Sequence, residues 1–527
     1  MLSISKSKKQ RLRKSRAKRK RTDLREEVRL NQNEQAVREN DEGYKYNSVV
    51  RLQHNFYRTN TFEILPPRFI LSRGDMNDQE RVGALMTRIF SVEGKIPGSL
   101  IDHFELKNVL KSFVRNFQRL NMKALLNKHC PRKIVKTPCP PEEVYSFLNS
   151  IILQTGVSRL FGHQVKHLQR IVRLVLMKTV SNKILMGDLM QGIVLPKIQW
   201  MSKCFSFRLK SFMLARLLSW FVTEFVCRII SSHFHRSDST HKKHQIFYYR
   251  KVIWQSLTKK AMNKEVQSGK LKLLTRNDER TLILNHPKAP PCVKLRFIPK
   301  KSLSEVRLIG KSVSPKGSDR SLLELVRKFS SMFGSRADLS GNILCQEWTR
   351  LVQSVDTRRD LFWITVDISD AFGSVRLSKL VEIIKRCRRE NLSVEDSLVR
   401  SQVNDLLRRL YLYTGVYHVG GTKQTYHLRR GLLQGDPLSP FLSDIYYGDM
   451  VSVKMIQFSR PPAPGTEEVF LRGADDFIFV STDRERISSF RETILNGFAD
   501  YNCIFKSSKT RTNIDSSSKD DQFIRSG

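Results

Sequence analysis

Between residues 143 and 275 the chain repeats apolar positions at spacings of three and four. The segments "EVYSFLNSII", "HLQRIVRLVLM" and "FMLARLLSWFVTEFV" each lay an apolar stripe along one side of a helix, and together they predict a helical domain whose outer faces are rich in Lys, Arg and His. Shorter helical patterns, "ERVGALMTRIF" and "FELKNVLKSFV", occur between about 46 and 140. After about residue 285 the period changes. "VKLRFIPK", "LFWITVD", "VFLRG" and "FIFVS" read as strands, while "RLSKLVEIIKRC" and "SQVNDLLRRLYLY" read as helices. The longest apolar stretch, "FMLARLLSWFVTEFVCRII", is interrupted by Arg216, Glu224 and Arg228, which suits a core helix better than a membrane span.

Charge changes this picture more than composition does. The 527 residues carry 93 Lys and Arg against 50 acids, a formal net charge of +43, and so large an imbalance repels itself until a polyanion neutralises it. Nucleic acid is the partner this points to. The first twenty-odd residues, "MLSISKSKKQRLRKSRAKRKRTD", are too basic and polar to build a core and read as a solvated arm for nuclear import or RNA contact. The eight cysteines are scattered without a C-x-x-C pair, as in an intracellular protein with reduced thiols. His129 and Cys130 precede Cys139, but no second pair follows to complete zinc-finger spacing.

The candidate chemistry is acidic. "FLRGADDFIFV" sets Asp475 and Asp476 between two apolar strands, and about a hundred residues upstream "LFWITVDISDAFGSV" runs a strand into Asp367, with Asp370 and Phe372 close behind. Neighbouring like charges raise the energy of the folded chain. Bound cations relieve it, because carboxylate oxygens suit Mg²⁺ and a pair of such ions stabilises both the attacking and leaving oxygens of a phosphoryl transfer. Between the acidic elements lies "GLLQGDPLSP", where Gln434 and Gly435 form a turn, Gly435 lets backbone approach a ligand, and Pro437 is suited to open the following helix.

In this order the three motifs resemble the palm of reverse transcriptases. The resemblance implies Asp367, Asp475 and Asp476 as catalytic residues holding two Mg²⁺ ions. It also puts Phe372 where a ring blocks a ribose 2′-hydroxyl, and Gln434 and Gly435 beside the nucleotide. "IFYYRKVIWQSL" resembles the T motif of the telomerase reverse transcriptase family, and its Phe247, Tyr248, Tyr249 and Trp254, with Arg250 and Lys251, offer stacking faces and cations to RNA. "VYSFLNSII" through "IQWM", ending in Trp200, is similar to that family's RNA-binding domain. "KLRFIPKKSLSEVRLIGK" resembles its finger strands, with Lys300 and Arg307 at triphosphate-binding positions, and "NCIFKSSKTRTN" places Lys509 and Asn513 in the next motif.

The resemblance implies an α+β protein: a helical RNA-binding domain, then fingers, then a palm of antiparallel sheet with packed helices. The expected organisation is a basic disordered arm at 1–45, the RNA-binding domain with T motif at 46–275, fingers at 276–350 and palm at 351–527, with the thumb largely absent and no recognisable N-terminal DNA-anchoring domain. The implied function is the telomerase catalytic subunit, an RNA-directed DNA polymerase of the nucleus and telomeres. Its implied partners are a telomerase RNA template, a single-stranded telomeric DNA primer, dNTPs and possible accessory proteins, without a membrane. Two other readings stand beside it: a non-LTR or Penelope-like retroelement polymerase, to which "QGDPLSP" and "DISDAFGSV" are similar, and an RNA-binding scaffold with an inactive polymerase.

Overall fold

The computed structural model describes residues 49–51, 77–90 and 103–514, less 133–134, 179–182, 205, 239–244, 287–289, 313–317, 334–340, 356–358, 392–396, 420–421, 460–466 and 474. The basic arm therefore lies outside the described residues. The amino-terminal half of the structure is helical, as the periodicity predicts. Val165–Met177 buries Leu168, Ile171, Val172, Val175 and Leu176, a stripe that follows the helical repeat. Local chemistry sets the ends of these helices. Asn121 accepts from the Ala124 N–H at the start of Met122–His129, Ser206 does the same from Leu209 for Phe207–Trp220, and Pro141–Thr155 carries proline in its first turn and a left-handed Gly156 after its last.

The long apolar stretch is a core helix, continuing through a π-helical turn at Phe221–Val226 into Cys227–His233. The charges that interrupt it are paired or bonded. Glu224 forms ion pairs with Arg88 and Arg228, and the Arg216 guanidinium donates to the Ile89 carbonyl at 3.1 Å. Among the described residues no helix is long and apolar enough to cross a membrane. Trp200 sits 1% exposed in the same core, stacked at a tilt on Phe90 and donating from Nε1 to the Leu160 carbonyl at 2.9 Å.

Thirteen strands build four sheets among the described residues. Two are small: β1 (Val49–Arg51) pairs with β2 (Lys183–Leu185), and β3 (Phe234–Asp238) with β4 (Ile246–Arg250), both antiparallel. A five-stranded sheet has the order β5 (Leu271–Leu273), β10 (Thr422–Leu428), β9 (Thr414–Val419), β6 (Cys292–Pro299), β7 (Val306–Ser312). All its pairings are antiparallel except β6 with β9, which run parallel. The fourth sheet is antiparallel throughout, ordered β11 (Glu468–Gly473), β12 (Asp476–Ser481), β8 (Phe362–Asp367), β13 (Arg511–Thr512).

The α+β class and the sequence from helical domain to sheets are as expected. Chain boundaries at 276 and 351 do not coincide with the sheets, however. The five-stranded sheet takes β5 from before 276 and β9 and β10 from well after 351, because backbone pairing, which sequence periodicity does not show, joins distant strands.

The helix Ser439–Lys454 runs through the core behind the four-stranded sheet and is buried almost all round. Its acids are therefore matched: Asp444 meets Arg472 at 2.6 Å, and Asp449 accepts from Tyr501 Oη at 2.6 Å and pairs with Arg386. This helix opens at Ser439 with Pro440 in its first turn, two residues later than the expected opening at Pro437. Asp436 is the physical reason, since its Oδ1 accepts from the Leu438 N–H at 2.9 Å and fixes a turn there.

Trp200→Ala removes a buried ring and an indole hydrogen bond, and is expected to cost about 3–5 kcal/mol of unfolding free energy, measured by denaturant titration followed by circular dichroism.

Candidate active site

Antiparallel pairing decides where the acids go. The register of β12 against β8 puts Asp476 directly opposite Asp367, and the Ile368 N–H donates to the Asp475 carbonyl at 3.0 Å. All three aspartates thus share one end of the four-stranded sheet. Asp367 is 6% exposed, Asp475 is half-buried and Asp476 is exposed.

Two lysines complete the cluster. Lys506 Nζ lies 2.7 Å from Asp367 Oδ2, and Lys509 Nζ lies 2.8 Å from Asp367 Oδ1. Their backbone is anchored by the Lys506 N–H donating to the Asp367 carbonyl and the Ser369 N–H donating to the Ile504 carbonyl. Lys509 was legible as a candidate. Lys506 was not, although a second lysine three residues before it in "FKSSK" is the available signal.

The carboxyls titrate differently because their neighbours differ. Burial pushes Asp367 up, but the two lysine hydrogen bonds and charges outweigh it and hold it below the ordinary carboxylate value. Asp475 is raised by burial and by the Asp367 charge, and Asp476 by burial and by both neighbouring aspartates. Lys509 is raised by its hydrogen bond to Asp367. An all-oxygen donor set with two carboxyls raised by burial and mutual repulsion fits hard divalent cations such as Mg²⁺. Asp367, Asp475 and Asp476 are the residues that would hold them.

The turn after β8 is unusual in its backbone. Asp370 adopts φ +49°, a conformation rare for non-glycine residues, and the Ser374 N–H donates to its carbonyl at 2.8 Å. A Cβ on Gly373 would stand 2.0 Å from Asp370 Oδ2, so a side chain there would have to displace the Asp370 carboxylate. Phe372 is half-buried beside it, packed on the core.

The segment Gly431–Gly435 joins this turn to the other sheet. At one end the Leu432 N–H donates to the Phe372 carbonyl at 2.7 Å and the Gly431 N–H to the Val375 carbonyl at 3.0 Å; at the other, the Gly310 N–H of β7 donates to the Gln434 carbonyl at 2.8 Å. Gly435 has φ +91°, and a Cβ there would lie 2.8 Å from the Gly310 carbonyl oxygen. Gln434 and Gly435 are thereby brought between the acidic turn and β7, the strand that carries Arg307. Lys300 stands in the β6–β7 turn and pairs with Glu305 at 2.7 Å.

Two sets of expected site residues are placed elsewhere. Asn513 clamps the far end of β8: its Oδ1 accepts from the Trp363 N–H at 2.9 Å and its Nδ2 donates to the Leu361 carbonyl at 2.8 Å. Trp363 is four residues from Asp367 along an extended strand, or ~13 Å, so Asn513 holds the sheet and is not beside the aspartates.

The T-motif side chains expected to stack on RNA are largely interior. Tyr248 and Tyr249 are 0% exposed and Arg250 is 1% exposed. Tyr248 donates to the Leu176 carbonyl, Tyr249 to the Leu303 carbonyl, and Arg250 to Asn127 Oδ1 and the Cys130 carbonyl. Trp254 is buried and stacks on His235 with centroids 3.9 Å apart. Their aromatic and cationic character serves packing here, while Phe247 and Lys251 retain partial exposure.

Comparison with known proteins agrees with this construction. The family described as "Telomerase ribonucleoprotein complex - RNA binding domain" matches residues 143–265, and "Reverse transcriptase (RNA-dependent DNA polymerase)" matches residues 298–519. The chain is similar to the telomerase reverse transcriptase of Mus musculus, 22% identical over 532 residues, covering 82% of this chain and 46% of that protein. It is similar also to that of Arabidopsis thaliana, 23% identical over 603 residues, covering 87% and 52%. Two segments of the chain thus match, in order, a telomerase RNA-binding domain and a reverse transcriptase domain. Among solved structures, the fold is similar to that of apo telomerase from Candida Tropicalis truncated from its C-terminal domain, with TM-score 0.68 and 19% identity over 89% of this chain and 96% of that one. Telomerase from Candida albicans in complex with a fragment of telomeric RNA matches with TM-score 0.69 and 17% identity, over 88% and 77%. The chain spans about half the length of the curated relatives it matches.

Because Asp475 is raised, the folded state favours its neutral form, so its ionisation destabilises the protein as pH rises above the ordinary carboxylate value. Asp475→Asn is therefore expected to raise the thermal midpoint at pH 7 in chelator, with the gain shrinking as acid protonates the native carboxyl; differential scanning fluorimetry across pH checks both. Gly435→Ala forces a side chain into a left-handed backbone against the Gly310 carbonyl, and is expected to cost about 1–3 kcal/mol in denaturant unfolding.

Proposed function

We propose that this chain is the catalytic subunit of a telomerase, an RNA-directed DNA polymerase that adds telomeric repeats to chromosome 3′ ends from dNTPs. The observation that carries the reading is the register placing Asp476 opposite Asp367, with Asp475 adjacent, at one end of the four-stranded sheet.

Asp367, Asp475 and Asp476 are the ligands for two divalent ions, with Mg²⁺ the natural choice for carboxylate oxygens. Such ions, when bound, lower the pKa of the primer 3′-hydroxyl and offset charge on the departing pyrophosphate. The protein's own residues do the rest. Lys509, held protonated by Asp367, is the cation positioned to meet the triphosphate and give a proton to pyrophosphate. Arg307 and Lys300 offer further positive charge from the five-stranded sheet. Phe372, fixed by the strained turn, is the ring that selects deoxyribose, and the Gln434–Gly435 turn orients the nucleotide between the two sheets.

The helical domain at 143–265 is the part proposed to hold a telomerase RNA that supplies the template. A single-stranded telomeric primer is the second nucleic-acid partner, and the nucleus is the compartment where both occur. The RNA-binding family match supports telomerase over the retroelement polymerase that "QGDPLSP" resembles.

The test is primer extension by protein purified with its RNA, using telomere-like single-stranded DNA, dNTPs and Mg²⁺. A repeating ladder is expected, lost on RNase treatment and lost in Asp475→Ala while RNA binding persists. Extension only on an added RNA template overturns telomerase in favour of a retroelement enzyme. Substantial synthesis by Asp475→Ala overturns the assignment of the site.

A further inference from the structure

A second cluster of metal-ligating side chains lies in the helical domain, remote in fold from the aspartates. Cys130 Sγ, Cys139 Sγ and a Glu143 carboxylate oxygen all lie within 4.8 Å of one another, and this is the group of three such ligand atoms found among the described residues. Cys130 is 0% exposed and Cys139 is 5% exposed; Glu143 is half-buried.

The end of one helix and the start of the next deliver these atoms. Cys130 follows the helix Met122–His129 and its N–H donates to the Leu126 carbonyl at 2.9 Å. Cys139 lies just ahead of the helix Pro141–Thr155, and Glu143 is in the first turn of that helix. Strand β4 closes the cluster from the third side. The Cys139 N–H donates to the Tyr248 carbonyl at 2.7 Å, and Arg250 donates to the Cys130 carbonyl at 2.9 Å.

We propose that Cys130, Cys139 and Glu143 form a zinc site that ties the end of the helix Met122–His129 to the start of the helix Pro141–Thr155, beside the strand of the T motif. Two sulfur ligands and one carboxylate are a donor set that Zn²⁺ accepts, with water as the fourth donor. Sulfur ligands also separate this site from the all-oxygen aspartates, which suit Mg²⁺. Charge closes as well: two thiolates and a carboxylate carry three negative charges, and a divalent ion with the Arg250 guanidinium carries three positive ones. Zn²⁺ takes cysteine as thiolate, so loading the site releases protons from the two thiols. The linear spacing Cys-x8-Cys-x3-Glu is not a zinc-finger pattern, and only folding reveals the third ligand.

The test uses the full chain, purified under reducing conditions. Elemental analysis is expected to find about one zinc per chain, and Co²⁺ added after chelation is expected to give a thiolate-to-cobalt charge-transfer band that oxygen-only ligands cannot give. Cys139→Ser is expected to remove both signals. Glu143→Gln is expected to keep the charge-transfer band and weaken Zn²⁺ affinity at least tenfold; because it leaves both cysteines in place, it keeps the proposal testable where a cysteine variant fails to fold. Absence of the charge-transfer band in the wild-type chain overturns the site, as does its survival in Cys139→Ser or a Cys130–Cys139 disulfide found by mass spectrometry in the reduced preparation.

Discussion

Asp476 opposite Asp367 across β12 and β8 is the constraint on which the carboxy-terminal half of the structure depends. Two strands that pair by backbone hydrogen bonds bring their terminal carboxylates together whether or not the charges favour it, and the sheet must hold them there. The surrounding structure shows how. Lys506 and Lys509 bind the two oxygens of Asp367 from a segment more than a hundred residues downstream. Asn513 and β13 fasten that same segment to the far part of β8. The segment 506–513 thus supplies both the positive charge, from Lys506 and Lys509, and the edge strand β13.

Coupling between the sheets rests on few atoms. Gly431–Gly435 hydrogen-bonds to the Phe372 turn on one side and to Gly310 on the other, so one short segment ties β7 to the turn that follows β8. Glycine at 435 is required by its left-handed backbone and by contact with the Gly310 carbonyl oxygen, whereas a side chain at 373 would displace the Asp370 carboxylate. The space beside Gly373 is taken by the Asp370 carboxylate.

How much of this was legible in the sequence follows from the range of each interaction. The helical stripe of Val165–Met177, the strand running into Asp367 and the aspartate pair are local patterns, and each is present as read. The T-motif aromatics were legible as a motif but not in their burial, since composition does not say whether Tyr248 faces solvent or the Leu176 carbonyl. Asn513 was placed by motif spacing beside the nucleotide, whereas its strand runs antiparallel to β8 and carries it away from the acidic end. Lys506 and the Cys130–Cys139–Glu143 cluster depend on tertiary proximity that no spacing rule expresses.

The parallel pairing of β6 with β9 has a consequence for synthesis. Lys294 and Val416 are register partners about 120 residues apart, and β8 with its helices lies between them in the chain. At ~5–20 residues per second, β6 leaves the ribosome roughly 6–24 s before the strand that completes its hydrogen bonds. During that interval the β6–β7 hairpin has an open edge able to pair with other chains. The two sheets are interleaved along the chain, so they must mature together, and the nascent carboxy-terminal half needs protection until β9 arrives.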